Sequence, residues 1–326
     1  MRISSFSGGI MPKPHRWVTD EPDIPFDYEV LYEDERIIVI DKPHFLPTTP
    51  RGMWHRSTAL IRLRERLGEP GITPAHRLDR DTAGVVVFVR EPSARGAYQM
   101  LFQEHRTLKV YECLAPCRPV SRPRFGTMER LEPPRVFPLR RRSRIVKERG
   151  VLQAYEEPGQ VNAETIVELG TAADPLSPPC GGQLPLAGGA DCRDRVCGRL
   201  GRDSDGRPLA GGADCRSCNP NRLPLTGGAV MWSMTEGVER RRIPMIRAYT
   251  LRPRTGKTHQ LRVHMNSLGL PIVGDPMYPR IIDRAYDDFS DPLQLVARTL
   301  EFDDPYTGEH RCFTSRIPLA CGQIVG

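Results

Sequence analysis

The chain has 326 residues, 27% of them charged and 39% hydrophobic, which is enough for one large core or two ordinary ones and typical of a soluble globular protein. No apolar run approaches the roughly 18 residues of a membrane span, and MRISSFSGGIMPKPHRW lacks the roughly 7–15-residue apolar stretch of a secretory signal, so a cytoplasmic protein without membrane association is expected. The net charge of +7 favours an anionic partner, while 29 Gly and 32 Pro imply that part of the chain is not packed structure.

Residues 1–27 are polar and Pro-rich and read as a flexible leader. In VLYEDERIIVIDKP (30–43) the run Ile37–Ile40 predicts a buried strand that Pro43 stops. STALIRLRERLG predicts an amphipathic helix with Ser57 as N-cap, Leu60, Leu63 and Leu67 on one face and Gly68 as C-terminal cap. HRLDRDTAG (76–84) is a turn leading into GVVVFV, a β-branched strand that Gly84 opens. EPSARGAYQMLFQEH predicts a second helix and LKVYECLA a strand. NAETIVELG and IRAYTLRP (246–253) alternate apolar and polar residues as half-buried strands do.

Between those two strands, residues 171–245 hold twelve Gly, eight Pro, five Cys and one aromatic residue, with PLAGGADCR at 185–193 repeated at 208–216. Too few large apolar residues are present for a packed unit, so a disordered insert at the tip of a hairpin is expected, with both flanking strands in one sheet. Cys192, Cys197, Cys215 and Cys218 have the superficial spacing of a zinc site, but duplication of one unit already accounts for Cys192 and Cys215. The odd count of nine cysteines points to a reducing compartment rather than a disulfide scaffold.

Three separated segments carry the chemistry: VLYEDERIIVIDKP, HRLDRDTAG and RTGKTHQLRVHMNSLGLPIVGDPMYP (254–279). Asp79 sits at a turn just before a buried strand, where a carboxylate can be held at a pocket floor, shielded from water. Burial alone would neutralise it, so a cation opposite is required. Arg262 is the best placed. With Thr258 as N-cap and Leu261, Met265 and Leu268 on the inward face of a helix that Gly269 ends, Arg262 falls at the edge of that face and can form a two-pronged pair with Asp79. His76, His259 and His264 lack a third metal ligand at sensible spacing and read as structural or RNA-contacting.

At these three segments the sequence resembles the RluA-type pseudouridine synthases, from about Tyr28 to the C-terminus, with the insert as the main departure. The resemblance implies an α+β catalytic domain with a mixed, mostly antiparallel sheet, flanking helices and a central cleft. It implies an isomerase that needs no metal or organic cofactor. Asp79 then matches the catalytic aspartate, Arg262 the arginine that pairs with it, and Tyr111 the tyrosine against the target base. Leu295, in LQLVARTLEF, matches the aliphatic residue lining the pocket, and Arg77 a residue that fills the space a flipped base vacates. His76 and Leu78 flank it as substrate contacts. The expected partner is a ribosomal or transfer RNA stem-loop, bound by a monomer.

The stretch from Arg122 to Arg149 holds ten Lys or Arg and three Glu, a net charge equal to that of the whole chain. Within it Arg140, Arg141, Arg142 and Arg144 are expected to contact RNA phosphates, against the alternative of a solvated loop and strand. An RNA-binding or folding-assistance protein on a synthase scaffold is the second functional expectation. A hydrolase that releases uracil is the third.

Overall fold

The computed structural model describes residues 21–170 and 246–319. Residues 1–20 of the leader and the whole 171–245 insert, with its cysteines, lie outside the described residues. In chain order the elements are β1 (Glu29–Glu33), β2 (Ile37–Lys42), α1 (Ala59–Leu67), β3 (Thr73–Pro74), β4 (Ala83–Val89), and a 3₁₀ turn (Pro92–Ala94) running into α2 (Arg95–Gln103). Then come β5 (Leu108–Pro116), β6 (Thr127–Arg130), β7 (Leu139–Val146), β8 (Tyr155–Glu157), β9 (Ala163–Leu169), β10 (Ile246–Pro253), α3 (Gln260–Ser267), β11 (Leu295–Asp303) and β12 (His310–Thr314).

The strands form one sheet ordered β1-β2-β4-β11-β5-β10-β9-β7-β6, with β12 beside β11, β3 beside β4 and β8 beside β7. Every pairing is antiparallel except β4 with β11. The mixed, mostly antiparallel α+β architecture is therefore as the sequence implied. β9 and β10 are antiparallel neighbours with Leu169 opposite Tyr249, so both flanks of the insert belong to one sheet.

Helix placement explains why the strands look different in sequence. Around β2 and β4 both faces are covered. Ile38, Ile40, Val86 and Phe88 pack with Leu60 and Leu63 of α1, and Ile37, Val39, Val85 and Val87 pack with Tyr98 and Leu101 of α2. Ile37–Ile40 of β2 and the whole of β4 must then be apolar, and full burial of each large side chain among them stabilises by about 1.5–3 kcal/mol. Around β9 and β7 α3 is the one helix that covers the sheet among the described residues, and burial alternates residue by residue. At the β4–β11 junction, Gly84 has φ +119°, and a Cβ there would lie 2.3 Å from the Ala297 carbonyl oxygen. Only glycine lets the two strands meet there.

Four local expectations need correction. The leader is fastened from residue 21 onward: Glu21 accepts hydrogen bonds from the backbone N–H groups of His55, Arg56 and Ser57, and Ile24 is buried in the core. Those N–H groups are thus already satisfied, and the N-cap of α1 is Thr58 rather than Ser57. The N-cap of α3 is His259, at φ +55°, and not Thr258. No side chain caps it; the Gln260 amide oxygen instead folds back to accept from the Lys257 N–H (3.1 Å) and the Thr255 hydroxyl (2.7 Å). Finally, Cys113 and Cys117 carry free thiols, but Cys312 is disulfide-bonded, which the uneven cysteine spacing does not suggest.

Candidate active site

The second and third motif segments converge on a cavity of about 630 Å³. Its walls come from the turn before β4, the start of β5, the loop from β10 into α3, and the first residue of β11. That volume falls within the range of ligand sites of roughly 300–1,000 Å³.

The turn carrying Asp79 is held from several sides. The Thr48 hydroxyl donates to the Leu78 carbonyl (2.8 Å) and accepts from the Leu78 N–H (3.2 Å). Lys42, fully buried, donates to the carbonyls of Pro43 (2.9 Å), Leu46 (2.8 Å) and Arg80 (3.3 Å). Burial pushes its pKa down to about 7, against the pull of Asp81 and Asp79. Arg80 lies over the Trp54 ring at 4.9 Å and donates to the Tyr286 carbonyl. The first motif thus serves the second: its Lys42 fixes the turn that presents Asp79.

Asp79 itself is less enclosed than expected, with 36% of its side chain exposed to the open cleft. Facing it are His259, with Nε2 at 3.8 Å, and Arg262, with Nη1 at 4.0 Å. The two-pronged pair expected between Arg262 and Asp79 is made with Asp275 instead. Arg262 Nε donates to Oδ2 (2.9 Å) and Nη2 to Oδ1 (2.6 Å), in a site where both side chains are almost wholly buried. Gly274, at φ +72°, turns the chain so that Asp275 comes under α3, and the Met277 and Tyr278 N–H groups also donate to Oδ1. Burial alone would discharge the guanidinium; Asp275 and then Asp79 outweigh it and hold its pKa above the ordinary arginine value. The remaining nitrogen, Nη1, is buried, has no hydrogen-bond partner among the described residues and lies 4.0 Å from Asp79.

Tyr111 lines the same cleft, and burial together with the Asp79 charge raises its phenol, which stays protonated. Leu295 and Leu78 are buried in the wall, and Arg77 is exposed at the rim. His76 stacks on Phe102 at 4.2 Å, and its Nε2 accepts the Val87 N–H. Burial drives its pKa down to about 3, so it is a neutral structural ring in the cleft wall. His264, held between the Ser143 and Thr165 hydroxyls, is likewise structural.

The four arginines expected to contact RNA do not reach the cleft. Alternation along β7 sends Leu139, Arg141 and Ser143 to the face covered by α3, and Arg140, Arg142 and Arg144 to the opposite face. Arg141 is fully buried and pairs with Glu156 at 2.6 Å. Arg142 pairs with Glu164, Arg140 with Glu129 and Glu164, and Arg144 with Glu157. The strand is basic because it lies among carboxylates.

The cationic residues that do line the cavity are Arg51, Arg77, Lys109, Lys257 and Arg262, against Asp79 as the one lining carboxylate among the described residues. Arg51, Arg77, Lys109 and Lys257 have no carboxylate partner among the described residues. Four residues matter to this site beyond those the sequence singles out for chemistry. Lys42, Asp275 and Tyr278 carry no assigned role in the motifs, and His259 reads there only as structural or RNA-contacting. Their position inside the motif segments is the signal that could have found them.

Comparison with known proteins finds similar chains among the RNA pseudouridine synthases. The family described as RNA pseudouridylate synthase matches residues 36–171. The dual-specificity RNA pseudouridine synthase RluA of Vibrio cholerae is 28% identical over 85% of this chain and 78% of its own length. RNA pseudouridine synthase 1 of Oryza sativa subsp. japonica is 27% identical over 91% of this chain and 74% of its own. Among solved structures, human RNA pseudouridylate synthase domain containing 4 aligns with a TM-score of 0.48 at 19% identity, covering 89% of this chain and 88% of that one. With two of the motifs lining one cleft, the third bracing it, and relatives matched over most of its length, the chain is similar to RNA pseudouridine synthases of the RluA type.

Proposed function

We propose that this protein isomerises specific uridines in structured ribosomal or transfer RNA to pseudouridine, acting as a cytoplasmic monomer. In this reading the target nucleotide is flipped into the cleft and Asp79 is the carboxylate that acts on it. Arg262 orients Asp79 through Nη1, Tyr111 lies against the base, and Leu295 and Leu78 form the apolar wall. Arg77 takes the space the base leaves. Flipping costs a few kcal/mol and is least costly in loops, which favours a stem-loop substrate. The bound base would complete the shielding that the half-open cleft leaves unfinished at Asp79.

The observation that carries this reading is electrostatic. Among the described residues one carboxylate stands among five lining cations, beside a buried guanidinium nitrogen that has no hydrogen-bond partner. Such a cleft attracts a polyanion yet keeps one nucleophilic or basic oxygen at its centre. The test maps pseudouridine across cellular RNA with and without the protein, and then with Asp79→Asn. A site lost in its absence and not restored by Asp79→Asn, which should still bind the RNA, is the expected result. RNA binding by the intact protein with no isomerisation would overturn the catalytic reading in favour of a binding or folding-assistance role.

A further inference from the structure

Conversion of uridine to pseudouridine breaks the N1–C1′ bond and forms C5–C1′. It also requires C5 to give up a proton and N1 to take one up. The proton from C5 needs an acceptor, and a group other than Asp79 would leave that carboxylate free for the role assigned to it above. Arg262 is charged and cannot accept one. Tyr111 is held in its protonated form. The Nε2 lone pair of His76 is already occupied by the Val87 N–H. Lys42 is enclosed by three carbonyls and does not line the cavity.

His259 is different, and its tautomer follows from its neighbours. The Tyr278 hydroxyl has one proton, which it donates to the Ala154 carbonyl (2.7 Å), while its oxygen accepts from the Ala154 N–H (2.8 Å). Toward His259 Nδ1, at 3.1 Å, Tyr278 can therefore act only as an acceptor, so Nδ1 carries the hydrogen. In the neutral ring Nε2 is then an open lone pair, aimed into the cleft 3.8 Å from Asp79 Oδ2. The φ of +55° at His259, uncommon outside glycine, fixes the ring at the first turn of α3. Burial lowers the pKa of the ring below 6.5. Of the charged groups facing it, Asp79 and Asp275 oppose that fall while Arg262 and Lys147 add to it.

We propose that His259 Nε2 accepts the proton that C5 of the target uracil gives up. The C5–H electron pair restores the C5–C6 double bond, and the imidazolium releases the proton to solvent, from which N1 is protonated. Atoms and charge then balance with no other reagent. The proposal rests on the isomerase reading above, and the two fail differently. A wild-type protein inactive on every RNA sinks both, whereas failure of the histidine role alone leaves wild type active.

The experiment compares wild type with His259→Gln in single-turnover assays on the mapped RNA, on the same RNA with 5-deuterated uridine, and on RNA with 5-fluorouridine. Fluorine occupies the place of the departing proton, so rearrangement to C5 goes ahead without deprotonation. We expect His259→Gln to slow uridine conversion at least about 100-fold, to reveal a deuterium isotope effect, and to handle 5-fluorouridine at the wild-type rate. Equal slowing on both substrates would make His259 a positioning residue for Asp79 and overturn the proposal, as would no slowing at all. If His259→Gln does not fold, wild type alone decides. The rate on uridine should fall with acid through a pKa below 6.5, and the fall on 5-fluorouridine should lie at lower pH. Coincident profiles would refute the proposal.

Discussion

Asp275 offers the most direct test of how the site is held. Asp275→Asn keeps the shape of the side chain but removes its charge. The two carboxylate oxygens together receive two guanidinium N–H groups, at 2.6 and 2.9 Å, and Oδ1 also receives the backbone N–H groups of Met277 and Tyr278. An amide keeps one acceptor oxygen: in the place of Oδ1 it can still accept from Nη2 and the backbone, but the amide NH2 then faces the Arg262 Nε–H, which loses its acceptor. Arg262, with 1% of its side chain exposed, would be left with Asp79 at 4.0 Å as its nearest carboxylate. Breaking a buried pair from one side costs about 3–5 kcal/mol, because the remaining charge is uncompensated. Urea denaturation should show a loss of that size. Arg262→Met/Asp275→Asn should be more stable than the two single effects summed, by about 1 kcal/mol or more, since the double variant has no stranded charge. A loss below about 1 kcal/mol for Asp275→Asn, or additivity within about 0.5 kcal/mol, would refute the claim that this pair supports the site.

Other expectations follow from the same geometry. Replacing Lys109 or Lys257 by Gln should weaken RNA binding and reduce the slope of log K against log salt by about 0.7–0.9 for each phosphate no longer neutralised, measured by titration at several salt concentrations. Arg140→Gln and Arg142→Gln should leave that slope unchanged and alter stability by no more than about 1 kcal/mol, because those arginines are partly exposed and already paired. Gly84→Ala places a Cβ 2.3 Å from a backbone oxygen at φ +119°, and should lower stability by at least about 2 kcal/mol in thermal melts. For Lys42, the folded chain releases a proton near pH 7 that the unfolded chain keeps to about 10.5, so wild-type stability should rise with pH across that interval. Lys42→Met lacks that contribution, so denaturation at several pH values should show wild type losing stability relative to the variant as pH falls through the same interval.

The strands around β2 and β4 are legible in sequence because double-sided burial demands unbroken apolar runs, and β9 and β10 because single-sided burial demands alternation. Asp79, Tyr111, Leu295 and Arg262 are legible as a set because their motifs occur in the right order, and all four line one cleft. What sequence does not reveal is which groups touch. Nothing local distinguishes Asp275 from Asp79 as the bidentate partner of Arg262; the outcome depends on how Gly274 turns the chain under α3. The Tyr278 contact that sets the tautomer of His259 depends in the same way on how the chain returns past α3. Thr258 has the right chemistry for the cap of α3, but Gln260 supplies the acceptor from inside the helix.

The basic stretch shows why net charge must be located in three dimensions before it is given a partner. The RRRSR run on β7 cannot act as one arm, since successive side chains leave on opposite faces. Its carboxylate partners, Glu129, Glu156, Glu157 and Glu164, come from neighbouring strands rather than from the run itself. The formal charge of residues 122–149 therefore overstates what a polyanion would feel at that surface, because opposite charges a few ångströms apart cancel well within a Debye length of about 8 Å. The cleft has the reverse property. Arg51, Arg77, Lys109 and Lys257 are scattered along the chain and form no basic segment, yet they reach one cavity without carboxylate partners among the described residues. Unpaired cations in a concave site focus the field there, so a polyanion is expected to be drawn to the cleft that holds Asp79 rather than to the most basic stretch of sequence.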